Sequence, residues 1–126
     1  MADAQKQLQA ISEEFQKLQT DLDGLVEARQ KLESQQQENE SVQKEFNSLD
    51  GESNIYKLVG PVLLKQEKQE ALLAVNGRLE FIEKEIKRIE KEIEANQDKS
   101  DKKRAEILQY QSQVQQQQAA AASASA

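Results

Sequence analysis

Apolar residues recur along most of this chain at alternating intervals of three and four. Leu8, Ile11, Phe15, Leu18, Leu22, Leu25 and Leu32 keep that spacing early, and Leu72, Val75, Leu79, Ile82, Ile86, Ile89 and Ile93 keep it later. Ile107, Tyr110 and Val114 then return in the same phase. Such a period places the residues on one stripe of an α-helix, the seam of a coiled coil. Between the two arms the period stops. Ile55 to Gln66 is a dense β-branched and aliphatic cluster around Gly60-Pro61, preceded by the turn-forming run Asp50-Gly51-Glu52-Ser53-Asn54. Proline lacks the N–H and clashes with the preceding turn, which argues against one continuous helix. The cluster predicts two short strands with their turn at Gly60-Pro61, and Gly51 is expected to end the first helix in the left-handed cap conformation.

The arms are mirror images. Antiparallel helices pair positions whose numbers add to a nearly constant value, and Phe46 with Val75, Leu32 with Ile89, Phe15 with Ile107 and Leu8 with Val114 add to 121 or 122. The fold class is therefore mainly α: a long antiparallel coiled-coil hairpin with one β-hairpin between its two helices. The first helix is expected over about residues 3–49 with Asp3 as its cap, the β-hairpin over about 54–66 and the second helix over about 67–115. These form a single domain over residues 1–118, and the run QQQQAAAASASA leaves 119–126 as a disordered low-complexity tail. Arms of roughly 45 residues would each extend about 65–70 Å at 1.5 Å per residue, giving an elongated molecule.

Polar residues interrupt the seam twice. Arg29, Gln36 and Asn39 hold core-type positions, and Val42, Phe46 and Leu49 resume three residues out of phase, the pattern of a stammer. The residues opposite, Ile93, Ile86 and Ile82, are then expected to be poorly covered. In the second arm Asn96, Ser100 and Lys103 face Leu25, Leu22 and Leu18, which predicts a looser pairing there. Asn76-Gly77 is a hairpin signal in isolation, but Val75 and Leu79 keep phase across it, so it reads as a soft spot inside a helix.

With 32% charged and 4% aromatic residues in 126, the chain cannot fill a broad core, and its buried surface is a thin stripe. Cysteine and histidine are absent, which removes disulfides, thiol chemistry, Cys/His zinc sites and the commonest general base. Glu80, Glu83, Glu85, Glu90, Glu92 and Glu94 sit at helical intervals beside Lys84, Lys87, Arg88 and Lys91, the pattern of ion pairs on solvated helix faces rather than of a catalytic pair. No phosphate loop, nucleophile elbow or metal-ligand spacing occurs. The reading is a non-enzyme with no catalytic, cofactor-binding or metal residues. A net charge of −6 disfavours nucleic acid, whose binding depends on clustered cations. No apolar run reaches the roughly 18–20 residues of a membrane span, and MADAQKQLQA lacks a secretory apolar region, so the chain is read as soluble and intracellular. A lone two-stranded hairpin with open edges is marginal in water, which makes oligomerisation through it the physical consequence. Several arms projecting from one β-assembled base would surround a cavity and hold non-native chains through many weak contacts.

The stretch Tyr56-Lys57-Leu58-Val59-Gly60-Pro61-Val62-Leu63-Leu64-Lys65-Gln66, flanked by heptad arms and followed by Ala71 and Arg78-Leu79-Glu80, resembles the β-type subunits of the prefoldin family. The resemblance covers about residues 8 to 114. It implies a cytoplasmic, ATP-independent hetero-hexamer of two α-type and four β-type subunits, with the hairpins joined in a double β-barrel platform and six coiled-coil tentacles. Such an assembly binds unfolded clients, actin and tubulin among them, and delivers them to the cytosolic group II chaperonin. Carried onto this chain, Ile55, Tyr56, Leu58, Val59, Val62, Leu63 and Leu64 are implied to form the subunit-assembly site. Leu8, Ile11, Phe15, Ile107, Tyr110 and Val114 are implied as client-binding candidates at the tentacle end. The implied partners are other prefoldin subunits, unfolded proteins and the chaperonin, with no cofactor, nucleic acid or membrane. The residues by themselves leave a second class open, a structural or tethering coiled-coil adaptor that docks through its β-hairpin.

Overall fold

Helix α1 spans Ala2–Ser48 and helix α2 spans Lys68–Ala124, with strands β1 (Ile55–Val59) and β2 (Val62–Gln66) between them. The computed structural model describes residues 2–125. Two compact units divide it: residues up to Glu27 together with those from Lys91 onward, and Ala28–Glu90. The second unit holds the β-hairpin with the adjoining parts of both helices, and the first holds the remaining segments of the two helices.

Burial in α2 follows the predicted phase without a break. Ala71, Val75, Ile82, Ile86, Ile89, Asn96 and Ser100 are buried, and Leu72, Leu79, Ile93, Lys103, Ile107, Tyr110 and Val114 are partly buried. In α1 no residue is fully buried, and its covered side is made of half-buried positions. The difference follows from side-chain shape. The short or β-branched residues of α2 lie close to the helix axis, whereas α1 contributes mostly longer leucine, phenylalanine, glutamine and arginine side chains whose outer atoms stay wet.

The stammer does not occur. Half-buried positions of α1 continue as Leu32, Gln36, Asn39, Gln43 and Phe46, still at intervals of three and four, while Val42 is 41% exposed. Gln43, not Val42, occupies the seam. Its amide donates to Asn76 Oδ1 at 2.6 Å, and Arg29 donates to Glu90 Oε1 at 2.8 Å, so two of the polar seam residues bridge the helices by hydrogen bonds. The expectation that Ile82 and Ile86 are poorly covered also fails, since both are buried. Long polar side chains cover apolar neighbours with their aliphatic stems while their ends stay solvated.

The second polar stretch is buried as well. Asn96 is 7% exposed and Ser100 5%. Asn96 Nδ2 donates to the Leu18 carbonyl at 3.1 Å, and Ser100 Oγ donates to Asn96 Oδ1 at 3.3 Å. Lys103 pairs with Glu14 at 2.6 Å. Asn96 therefore meets Leu18 rather than Leu25 through its amide, and Leu18, Leu22 and Leu25 remain partly exposed as predicted. A groove lined by Leu18, Gly24, Leu25, Ala95 and Lys99 runs beside Asn96.

Two boundaries differ from expectation. Asp3 lies in the first turn of α1, where a carboxylate favours the helix N-terminus, instead of before it. At the other end of the chain α2 continues to Ala124, through residues expected to be a disordered tail. Alanine has the highest helix propensity of any residue and no breaker interrupts the run, so the helix extends although all its side chains there are exposed.

A buried asparagine in a coiled-coil seam trades stability for a unique register. Replacing Asn96→Leu should raise stability to chemical denaturation by about 1 kcal/mol, since apolar contact replaces a desolvated amide. It should also admit alternative registers. The chain has no cysteine, so Glu14→Cys with Lys103→Cys reads the native register by bis-maleimide cross-linking. An undiminished cross-link yield in the Asn96→Leu background would show that the apolar positions alone set the pairing.

Candidate functional site

The β-hairpin grows out of a tied root. α1 stops at Ser48 without a left-handed Gly51, because Gly60 is the only residue with positive φ among those described. Asp50 makes the turn instead. Its Oδ1 accepts from the Glu52 N–H at 3.1 Å and from Ser53 Oγ at 2.9 Å, an Asx-type arrangement that replaces the helical path. Hydrogen bonding from Ser53, with the Glu52 N–H and the Lys68 charge adding to it, holds the Asp50 carboxyl below the usual carboxylate range. Lys68, at the start of α2, donates to the free Leu49 carbonyl at 2.8 Å. Ile55 then enters the chain's own core. It is 7% exposed and shares a pocket with Phe46, Ala71 and Val75.

Beyond Ile55 the strands pair antiparallel, Tyr56 with Lys65, Lys57 with Leu64, Leu58 with Leu63 and Val59 with Val62. Gly60 and Pro61 form the two-residue loop. Gly60 has φ +59°, as the first central residue of a type I′ or II′ turn requires. Type I′ also needs positive φ at the second position, which proline cannot adopt, so the turn is II′. In such a hairpin the closing pair exchanges backbone hydrogen bonds and so does every second pair. The N–H and C=O groups of Tyr56 and Leu58 on one edge, and of Leu63 and Lys65 on the other, therefore point outward.

Side chains alternate between the two faces of the ribbon. Val59, Val62 and Leu64 project on one side, Tyr56, Leu58 and Leu63 on the other, and all six are exposed, Leu58 by 70%. An ordinary antiparallel sheet has one polar face and one packed face. This one carries three exposed apolar side chains on each face, with Lys57 beside one set and Lys65 beside the other, and is open at both edges. Of the seven assembly residues expected from the sequence, Ile55 anchors the hairpin to its own helices and the other six are presented outward.

The six residues expected at the tentacle end lie in the seam of the first unit. Leu8, Ile11, Phe15, Ile107, Tyr110 and Val114 are all partly buried. The Arg104 guanidinium stands over the Phe15 ring, 5.8 Å from its centre, a cation–π contact. Sequence reasoning missed the exposed apolar residues away from the seam: Leu73, Phe81 and Leu108, at 73%, 64% and 61% exposure, and to a lesser degree Val26. Their signal was available, since each is apolar and out of heptad phase. Intrahelical ion pairs run between Lys84 and Glu80, Lys87 and Glu83, and Arg88 and Glu85, as the charge pattern implied. No described helix is long and apolar enough to cross a membrane.

A family model described as prefoldin subunit matches residues 9–120. The chain belongs to the prefoldin subunit family. Prefoldin subunit 6 of Bos taurus is 44% identical to it over 111 residues, spanning 88% of this chain and 86% of that one. Prefoldin subunit 6 of Saccharomyces cerevisiae is 46% identical over 98 residues, 78% of this chain and 86% of its own. Among solved structures, the prefoldin beta subunit of a Thermococcus strain matches with a TM-score of 0.76 at 25% identity, over 80% of this chain and 89% of that one. The resemblance to β-type prefoldin subunits is thus borne out, and the chain is a chaperone-type subunit whose family implies assembly with other prefoldin subunits.

Asp50 is ionised more readily in the folded chain than when free, so its contribution to stability is complete at neutral pH. That contribution is lost as pH falls through the lowered value, below the ordinary 3.8. Asp50→Ala should therefore melt below wild type at neutral pH, with the gap closing only in strong acid. Circular dichroism melts across the acid range check this, and a gap independent of pH would remove the role given to the carboxylate.

Proposed function

We propose that this chain is one arm of an ATP-independent hetero-hexameric holdase, which captures unfolded proteins of the actin and tubulin class in the cytoplasm and passes them to the group II chaperonin. One observation carries the proposal: the twelve-residue hairpin exposes six apolar side chains, three on each face, and is unpaired at both edges. Strands in that condition pair with other strands. Joining hairpins from several subunits satisfies the edge N–H and C=O groups and covers both faces at once, which packing onto the chain's own helices would not do. The helices then serve as arms, and their partly covered seam residues Leu8, Ile11, Phe15, Ile107, Tyr110 and Val114 supply weak apolar contacts that add through effective concentration when several arms engage one client. No nucleotide is needed for such capture, because exposed apolar surface on both partners provides the driving force.

Two measurements test the proposal. Leu58→Asp with Val62→Asp puts a charge on each face of the hairpin and should release a monomer with unchanged helical circular dichroism, since neither side chain is used inside the chain. An unchanged oligomer mass would refute assembly through the hairpin. The complete assembly, purified with its sibling subunits, should slow aggregation of denatured actin at stoichiometric amounts without ATP. Failure to do so, with assembly intact, would leave a tethering adaptor as the better reading.

A further inference from the structure

The hairpin is too small to account for a stable subunit contact by itself. It has ten strand residues, whereas stable protein interfaces use about 20–30 residues on each side. Residues outside the strands have to join it. Within the same compact unit, Leu73 and Phe81 are the largest exposed apolar side chains of α2, at 73% and 64% exposure. Together with Gly77 they follow one another at intervals of four, which forms a ridge of the kind that helices pack together.

Gly77 is a notch in that ridge. Glycine inside a helix costs about 1 kcal/mol relative to alanine, yet a Cβ built there would meet nothing of this chain within 4 Å. No internal contact requires the missing side chain. Gly24 in α1 is equally open, and its groove holds Leu18, Leu25 and Ala95 beside Asp21, Glu92 and Lys99, but it belongs to the other compact unit, not the one that holds the hairpin. The notch at Gly77 is bordered by Ala74, Phe81 and Ile82 of α2 and by Gln35 and Asn39 of α1. Arg78 stands beside it and makes no salt bridge among the described residues. The surface is also continuous with the hairpin, because Val42, Ala74 and Arg78 line one pocket with Tyr56 and Lys57 at the strand root.

We infer that the flank of α2 from Leu73 to Phe81 is a second half of the subunit interface, on which a neighbouring prefoldin subunit of the same assembly seats a helix. That neighbour places an apolar side chain in the notch at Gly77, between Leu73 and Phe81, and a carboxylate against Arg78. The inference rests on assembly through the hairpin, and it makes Phe81 an anchor: a large aromatic ring beside a notch is the kind of residue that carries binding energy at protein interfaces.

The test uses the full assembly, co-expressed with its sibling subunits and purified free of client. A photo-reactive phenylalanine analogue at position 81 should cross-link to a sibling subunit. Phe81→Lys, and separately Leu73→Lys, should raise the concentration at which the assembly dissociates by about tenfold. Both residues are exposed, so helical circular dichroism of the isolated chain should not change. Cross-linking only within the chain or only to added unfolded actin, or dissociation of both variants at the wild-type concentration, would overturn the α2 interface. Leu58→Asp reads the hairpin separately. If it leaves the assembly mass unchanged, the hairpin reading falls and this one with it, whereas dissociation of Leu58→Asp beside wild-type behaviour of the α2 variants removes the α2 interface alone.

Discussion

Two helices cover each other only along a line, and the rest of this chain depends on that line keeping its phase. A larger domain absorbs an out-of-step residue in a second layer of packing, but a two-helix seam has no second layer. The consequence is visible at Val42 and Gln43. Full burial of a valine is worth about 1.5–3 kcal/mol, yet Val42 stays outside and Gln43 lies in the seam, bonded to Asn76. A shift of phase would have overwound the coil and moved every later contact up to the root of the hairpin. Keeping the phase costs part of one side chain's burial, and it brings Phe46 to Ala71, Val75 and Ile55.

The same constraint explains how so many polar residues sit in the seam. Arg29 reaches Glu90, Asn96 reaches the Leu18 carbonyl and Lys103 reaches Glu14, each across to the other helix. The exposed pairs add little stability on their own. Their long stems, however, cover the isoleucines and their ends stay solvated, so a polar seam residue does not leave a hole. Buried Asn96 and Ser100 are different. The Asn96 amide donates across the seam to the Leu18 carbonyl, and a shifted pairing would strand that N–H, which gives Asn96 a say in register that a leucine would lack, while Ser100 bonds within α2 to Asn96.

The hairpin is held at its base and free everywhere else. Asp50, Lys68 and Ile55 tie its root to both helices, and the type II′ turn at Gly60-Pro61 sets its register. The six apolar side chains beyond the root remain about half exposed or more. This division, a fixed base and an unsatisfied ribbon, is the feature on which the proposed assembly rests. Ala74 and Arg78 of α2 line one pocket with Tyr56 and Lys57 at the root of the ribbon.

Most of the fold was legible in the sequence. The helix period in both arms, the turn at Gly60-Pro61, the strand limits and the seam of α2 follow from spacing and from proline's missing N–H, which are local properties of the chain. What the sequence left open was decided by packing. That Val42 yields to Gln43, that Ile55 belongs to the core and its neighbours to the surface, and that Asn96 and Ser100 are buried depend on which side chain of the other helix lies opposite. The Asp50 turn that replaces a glycine cap depends likewise on how the chain is led to Lys68. The helical extension to Ala124 is the exception, since alanine propensity alone explains it. The sequence by itself determined two seams and an apolar ribbon, because periodicity is written residue by residue. Only the tertiary structure decided which apolar residues are used inside the chain and which are left exposed, because that depends on distances between residues far apart in sequence.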